Sequence, residues 1–284
     1  MDYLNEVEHL KPAVVEAADR FILPRFRNLE DGDVLNKGDF DKTVTAADME
    51  TSSFLLDSCR ERFPGSFTEE DMDDRRFEHD TLWSIDPLDG TDEFRRGREG
   101  FGIQAALLER KNGGYFPAAG FLYLPVRKTF VYATQSEGPF VDDGHVIREI
   151  KVPISRNITG FQREIDISKE LDEFYKFMRK KGYEVNSMNI GGACASVAQM
   201  LLGSPYPNLY ICPRPYTKEW DTSPFENMIA RAGGFISDLY GNQFTYNRHD
   251  VRNLNGFVIC IGYEKGRVMS WIDEFGAENL LKAV

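Results

Sequence analysis

The sequence predicts an α/β sandwich, and three features of its patterning carry that expectation. Apolar residues recur at mostly helical spacing over residues 4–27, through Leu4, Val7, Leu10, Val14, Ala18, Phe21 and Ile22. Strand-like runs follow at 103–108, 118–122 and 129–133, separated by Gly, Pro and charged breakers. From residue 151 onward, helical stretches alternate with single short strands.

In chain order, the N-terminal helix is followed by a second helical stretch over 51–63 and a short apolar strand over 82–85. The next three strands read as a meander. Beyond 151 the pattern predicts a helix over 169–181, an Ala-rich helix over 195–202 and a strand over 209–212, then strands over 235–237 and 257–261. Between these last segments, Ser223-Pro224-Phe225-Glu226 carries a capping-box signature: an N-cap serine, a proline at the first helical position and a glutamate three residues after the cap. That helix is expected to reach Arg231, with Gly233 near its C-cap. Asp221 would then sit just ahead of a helix N-terminus, where a carboxylate is electrostatically favoured. There is no internal repeat and no low-complexity linker.

Composition excludes several classes. A hydrophobic content of 42% over 284 residues supports a sizeable core in one large domain or two subdomains. No apolar run reaches the roughly 18 residues of a membrane span. The start Met1-Asp2-Tyr3-Leu4 lacks the basic residues of a signal peptide, so the expected location is the cytoplasm. Cys59, Cys194, Cys212 and Cys260 are scattered without a C-x-x-C pair and read as buried free thiols, which makes the sequon Asn157-Ile158-Thr159 incidental. A formal charge of −12 argues against a nucleic-acid polymer as partner, since that mode needs clustered Lys and Arg. It leaves open a small phosphorylated metabolite.

The most informative segment is Asp86-Pro87-Leu88-Asp89-Gly90-Thr91. Pro87 fixes its own φ and biases Asp86 toward an extended conformation, so a stiff connection holds the two carboxylates. Gly90 permits close backbone approach, and the amides of Gly90 and Thr91 suit an anion-binding turn. Acids beside phosphate donors imply a bridging cation. Taken alone, a D-x-x-D is more often a solvated acidic loop. Two further acidic clusters, at Glu69-Glu70-Asp71 and at Glu219 and Asp221, can share the site. The cationic run Arg95-Arg96-Gly97-Arg98 follows directly and reads either as a solvated loop or as a local field that attracts a polyanion.

Thr43-Val44-Thr45-Ala46-Ala47-Asp48, Glu69-Glu70, Asp86-Pro87-Leu88-Asp89-Gly90-Thr91 and Trp220-Asp221 through Gly233-Gly234 occur in one order across residues 10–262. In these motifs the chain resembles the inositol monophosphatase superfamily of lithium-sensitive, Mg²⁺-dependent phosphatases. The resemblance implies a layered αβαβα sandwich, with residues 1–150 carrying most metal ligands and residues 151–284 carrying Asp221 and the substrate side. It implies Glu69, Asp86 and the Leu88 carbonyl at a first metal, and Asp86, Asp89 and Asp221 at a second. Two or three Mg²⁺ ions are expected, with Mn²⁺ an acceptable substitute, because oxygen-only ligands suit hard cations. Four gathered carboxylates would otherwise carry about −4 and repel one another. Asp48, Glu69 and Thr91 are the implied catalytic group: together they activate and orient a water, with the Thr91 hydroxyl passing its interaction on to Asp48. Asp48 is also a good helix cap.

Within the superfamily, Leu88 and the run from Pro213-Arg214 through Glu219-Trp220-Asp221-Thr222 are most similar to the CysQ-type 3′(2′),5′-bisphosphate nucleotidases, which remove the 3′-phosphate of phosphoadenosine phosphate. Substrate contacts are expected at Asp89, Gly90, Thr91, Gly192, Ala193, Arg214 and Glu219, with Arg214 suited to a second phosphate. The chain departs from that group at Ser196, where a lysine is common. An inositol, sugar or histidinol phosphate phosphatase and a non-catalytic phosphate-binding homologue are the alternatives. Many superfamily members are homodimers, and a homodimer stays open here.

Overall fold

Successive side chains of a strand point to opposite faces, and this alternation sorts the chain into layers. In a computed structural model, which describes residues 1–30, 32–36, 43–153, 158–161, 169–188, 191–203, 208–215 and 217–281, the long strands of the large sheet are buried on both sides for most of their length. The sequon at Asn157 lies outside the described residues.

Helix α1 (Tyr3–Ala17) starts where the Asp2 side chain accepts from the Asn5 amide at 3.1 Å. It gives way to a π-turn over Ala18–Ile22 instead of continuing to 27. Pro24 offers no amide donor, and the chain turns at Arg27 with φ of +64°. The ribbon β1 (Val34–Asn36) and β2 (Thr43–Thr45) leads into helix α2 (Ala46–Arg60). This helix begins five residues before the expected 51, because Asp48 accepts from the Thr45 amide at 2.8 Å and from the Thr45 hydroxyl at 2.5 Å.

A seven-stranded sheet follows in simple sequence order: β3 (Phe67–Thr68), β4 (Thr81–Asp89), β5 (Gly102–Lys111), β6 (Gly114–Leu124), β7 (Thr129–Thr134), β8 (Phe140–Asp142) and β9 (Ile147–Glu149). All its pairs are antiparallel except β3 with β4. The short helix α3 (Thr91–Arg95) leaves the end of β4. The second sheet comprises β10 (Ile158–Phe161), β11 (Val185–Met188), β12 (Leu209–Cys212), β13 (Gly234–Ser237) and β14 (Phe257–Ile261), in spatial order β11-β10-β12-β14-β13. Helices α4 (Lys169–Lys180), α5 (Ala193–Leu202), α6 (Glu226–Arg231), α7 (Lys265–Phe275) and α8 (Ala277–Leu281) complete the described elements.

Three apolar clusters separate five layers. On β5, Ile103, Ala105 and Leu107 pack against Val7, Leu10 and Val14 of α1 and Leu55 of α2. On its other face Ala106 and Leu108 join Val197 and Leu201 of α5 and Met228 of α6. The same middle cluster takes Phe257, Ile259 and Ile261 of β14, whereas Val258 and Cys260 face Phe174 of α4 and Trp271 of α7. The order is therefore helices, large sheet, helices, small sheet, helices, an αβαβα sandwich. The four cysteines are free; Cys59, Cys194 and Cys260 are buried and Cys212 is half-buried.

The expected capping box at Ser223 is not formed. Ser223–Phe225 is a 3₁₀ turn, the α-helix starts only at Glu226, and the Ser223 hydroxyl has no hydrogen-bond partner. Packing overrides the local signal. The Pro224 carbonyl lies against Gly120 of β6, so closely that a Cβ there would stand 2.1 Å from it, and Asn227 Nδ2 donates to the Pro117 carbonyl at 3.1 Å. The exit does follow the sequence, with Gly233 at φ of +80° just past the helix.

Candidate active site

Strand β4 runs beyond its apolar segment to Asp89, and its pairing with β5 is irregular between Asp86 and Asp89. Pro87 lies inside this irregularity, where a residue without an amide donor is tolerated. Asp86 and Asp89 are both buried there. Asp221, half-buried, comes from the 3₁₀ turn Glu219–Asp221, and carboxylate oxygens of Asp86, Asp89 and Asp221 all lie within 4.8 Å of one another.

Each acid is held from behind. Asp86 Oδ1 accepts from the Leu88 amide at 3.1 Å, and its Oδ2 lies 3.4 Å from Gln104 Nε2. Asp89 Oδ2 accepts from the Cys194 amide at 2.7 Å, so this carboxylate caps the N-terminus of α5. Asp221 Oδ2 accepts from the Lys218 amide at 2.6 Å. Burial pushes the Asp86 carboxyl well above the ordinary carboxylate range, and the charges of Asp89, Asp221 and Asp48 push it the same way.

Glu69 lies beside this cluster, outside the triad. Its amide donates to the Ile85 carbonyl at 3.1 Å, and its Oε2 accepts from Trp220 Nε1 at 3.0 Å. Gly90 adopts φ of +81° and starts α3 at Thr91. The Thr91 hydroxyl lies 3.1 Å from Asp48 Oδ1 and 3.0 Å from the Leu88 carbonyl. Asp48 therefore uses one oxygen to start α2 and the other to meet Thr91. Its burial raises its pKa against the lowering effect of these hydrogen bonds.

The remaining anticipated residues divide. Gly192 backs directly onto Asp89: a Cβ there would stand 2.3 Å from Asp89 Oδ2. Ala193 is the buried first residue of α5. Arg214 is half-buried, and its carbonyl accepts from the Thr217 hydroxyl at 3.2 Å. The Glu219 carboxylate is turned away into a fully buried position, where it accepts from the Asn247 and Arg248 amides at 3.1 and 3.2 Å. Burial raises its pKa to about 7. Arg95 and Arg96 both pair with Asp92, at 3.3 and 3.4 Å. Arg98 lines a cavity of about 370 Å³ with Phe101, Leu124, Arg127 and Ala195.

Two neighbours of the site, Gln104 and Lys218, lie outside the sequence motifs. Gln104 carried a usable signal, a lone polar residue within the apolar run 102–108. Lys218, whose Nζ lies 3.6 Å from Glu69 Oε1, carried none, since a lysine two residues from a buried tryptophan is common on any surface. The donor chemistry fits a metal. Three converging carboxylates without a histidine or thiolate suit a hard divalent cation, and burial makes their joint ionisation costly without one.

Fold and site together, an αβαβα sandwich with an acidic triad at the end of β4 in its large sheet, suit a phosphatase that works with a metal. A sequence model of the inositol monophosphatase family matches residues 4–260, and the chain belongs to that family. It is a phosphatase. It is 28% identical over 225 residues to the 3′(2′),5′-bisphosphate nucleotidase CysQ of Salmonella typhimurium, covering 78% of this chain and 86% of the relative. It is 30% identical over 226 residues to the 3′-phosphoadenosine 5′-phosphate phosphatase of Mycobacterium leprae, covering 76% of each. Among solved structures, CysQ from Bacteroides thetaiotaomicron superposes with a TM-score of 0.73 at 22% identity, over 92% of this chain and 98% of the other, and supports the fold. Among the described residues no helix is long and apolar enough to cross a membrane.

Proposed function

We propose that this phosphatase is a Mg²⁺-dependent 3′(2′),5′-bisphosphate nucleotidase, removing the 3′-phosphate of phosphoadenosine phosphate. The observation that carries the reading is the convergence of Asp86, Asp89 and Asp221 within 4.8 Å. Likeness to CysQ and to a 3′-phosphoadenosine 5′-phosphate phosphatase supports the substrate.

In this reading Glu69, Asp86 and the Leu88 carbonyl hold one Mg²⁺, and Asp86, Asp89 and Asp221 hold another. Bound there, Mg²⁺ would lower the pKa of a water and offset the charge that develops on the leaving oxygen. The chain's own residues supply the rest. Asp48 accepts a hydrogen bond from the Thr91 hydroxyl, which directs the Thr91 oxygen lone pairs at a water, and Glu69 orients the same water. The Gly90 and Thr91 amides receive the phosphate at the left-handed turn. Gly192 and Ala193 present backbone to the substrate, and Arg214 takes the second phosphate with its planar fork of donors. Glu219 anchors the turn of Asp221 through Asn247 and Arg248. Residues 1–150 thus supply most of the acids, and residues 151–284 supply Asp221 and the substrate side.

The test is a kcat/KM comparison of phosphoadenosine phosphate, inositol 1-phosphate, fructose 1,6-bisphosphate and histidinol phosphate with Mg²⁺. Phosphoadenosine phosphate is expected to lead. A preference for inositol 1-phosphate would overturn the substrate and leave the chemistry in place.

A further inference from the structure

Lys218 brings a positive charge to the acidic cluster by a route that the triad does not require. Its backbone is fixed: the amide donates to Asp221 Oδ2 at 2.6 Å, and the carbonyl accepts from Asn253 Nδ2 at 2.8 Å. Its side chain is 18% exposed and turns back over the site, with Nζ 3.6 Å from Glu69 Oε1. The ammonium lies 5.3 Å from the centre of the Trp220 ring, and the Nε1–H of that indole holds the other Glu69 oxygen at 3.0 Å. Glu69 is therefore gripped by a cation on one oxygen and by an indole donor on the other.

We infer that Lys218 is a built-in counter-cation of Glu69, which a divalent ion must displace when it takes Glu69 as a ligand. The inference rests on the proposed role of Glu69 as a metal ligand. Without an ion, Glu69 stands near three aspartates whose carboxylates already disfavour one another's charge. An ammonium at 3.6 Å relieves part of that repulsion. The relief is modest, because both partners are partly exposed and the lysine stem is flexible, so a divalent ion wins the exchange. Stabilisation that belongs only to the ion-free state weakens ion binding by the same free energy, as linkage requires. The displaced ammonium also repels the incoming cation. Both effects have one sign: Lys218 lowers metal affinity and keeps the ion exchangeable.

Replacing Lys218 by Met keeps the apolar stem against Trp220 and removes only the charge. The experiment titrates Mn²⁺ into the full chain without substrate and reads free Mn²⁺ by electron paramagnetic resonance. Lys218→Met is expected to bind Mn²⁺ about two- to tenfold more tightly, the range open to a partly exposed charge pair facing a dication, and Lys218→Arg is expected to match the wild type. A merely structural lysine would leave affinity unchanged or weaken it on removal, and either result overturns the inference. If Lys218→Met does not fold, Lys218→Gln carries the same expectation. Glu69→Gln separates the two levels of the argument. Unchanged Mn²⁺ binding in that variant removes the ligand role of Glu69, and the inference with it; weakened binding there without tightening in Lys218→Met removes the counter-cation alone.

Discussion

Gln104 stands directly opposite Asp86 in the β4–β5 register, and its amide joins that carboxylate to the turn that carries Asp221. Fully buried, its Nε2 donates to the Trp220 carbonyl at 3.0 Å and lies 3.4 Å from Asp86 Oδ2. One side chain thus spans the two elements whose acids must converge. Gln104→Leu keeps the volume but leaves two buried acceptors without this donor, at a cost of about 1–3 kcal/mol. If Asp86 holds Mg²⁺ as proposed, phosphatase kcat/KM should fall about 10- to 100-fold, with a higher Mg²⁺ requirement, as for other groups that orient metal-binding carboxylates. A folded Gln104→Leu enzyme with wild-type Mg²⁺ dependence would remove Gln104 from this role.

Gly192→Ala tests the other side of the cluster. The new Cβ would stand 2.3 Å from Asp89 Oδ2 and 2.7 Å from its Cγ, the carboxylate that also caps α5. Asp89 is short and buried, so it can yield only by leaving the point it shares with Asp86 and Asp221. A displacement of about 1 Å at a reacting centre costs about 100-fold in rate. The assay should therefore lose about that factor while the melting temperature moves by only a few degrees. Equal retention of activity and stability would mean that Asp89 need not stay where it is.

Asp86→Asn and Asp221→Asn remove charge without changing shape. If these acids hold Mg²⁺, each variant loses both water activation and stabilisation of the leaving oxygen, a fall of about a thousandfold or more in kcat. Steady-state hydrolysis across a Mg²⁺ titration checks it. Near-wild-type turnover by either variant would take that residue out of the metal site.

How much of this was legible in the sequence depended on whether local chemistry or packing decided the outcome. The long periodic segments became α1, α2 and α4, and the apolar runs became β5, β6, β7, β12 and β14, because burial on both faces demands those patterns. Asp86, Asp89 and Asp221 were readable because the motifs that carry them are short and stiff. The capping signature at Ser223 failed because contacts with β6, distant in sequence, outweighed a local preference. The inward turn of Glu219 was unreadable for the same reason, since its partners Asn247 and Arg248 lie in a later loop. Nothing near Lys218 in sequence reveals Glu69, which lies on the other side of the site.

The seam between β6 and the 223–225 turn sets a stability prediction that leaves the chemistry aside. A Cβ on Gly120 would meet the Pro224 carbonyl oxygen at 2.1 Å and its carbon at 2.8 Å, and backbone atoms cannot rotate away as a side-chain end can. Gly120→Ala must push the turn off the sheet, an overpacking cost of about 1–3 kcal/mol or more. Thermal or urea unfolding should show that loss. An unaltered midpoint would mean that the turn shifts freely on the sheet.

Glu226 gives a pH dependence whose sign can be worked out. Burial raises its carboxyl to about 7 from an ordinary 4.5, even though the hydrogen bond from Tyr246, at 2.5 Å from Oε1, acts in the opposite direction. The folded protein therefore keeps a proton that the unfolded chain releases once the pH passes its ordinary value. Since the unfolded state binds fewer protons across that window, stability falls as pH rises from 4.5 to about 7, and this contribution levels off above it. Glu226→Gln stays neutral at every pH and keeps an acceptor for the Tyr246 hydroxyl. Its melting temperature should gain on the wild type as pH rises from about 5 to about 8, by a few degrees at the scale of about 2–4 °C per kcal/mol. The comparison of the two proteins isolates this group, because every other titration is common to both. A wild type that gains on Glu226→Gln over the same range would show the carboxylate to be favoured in the folded state, with Tyr246 outweighing burial.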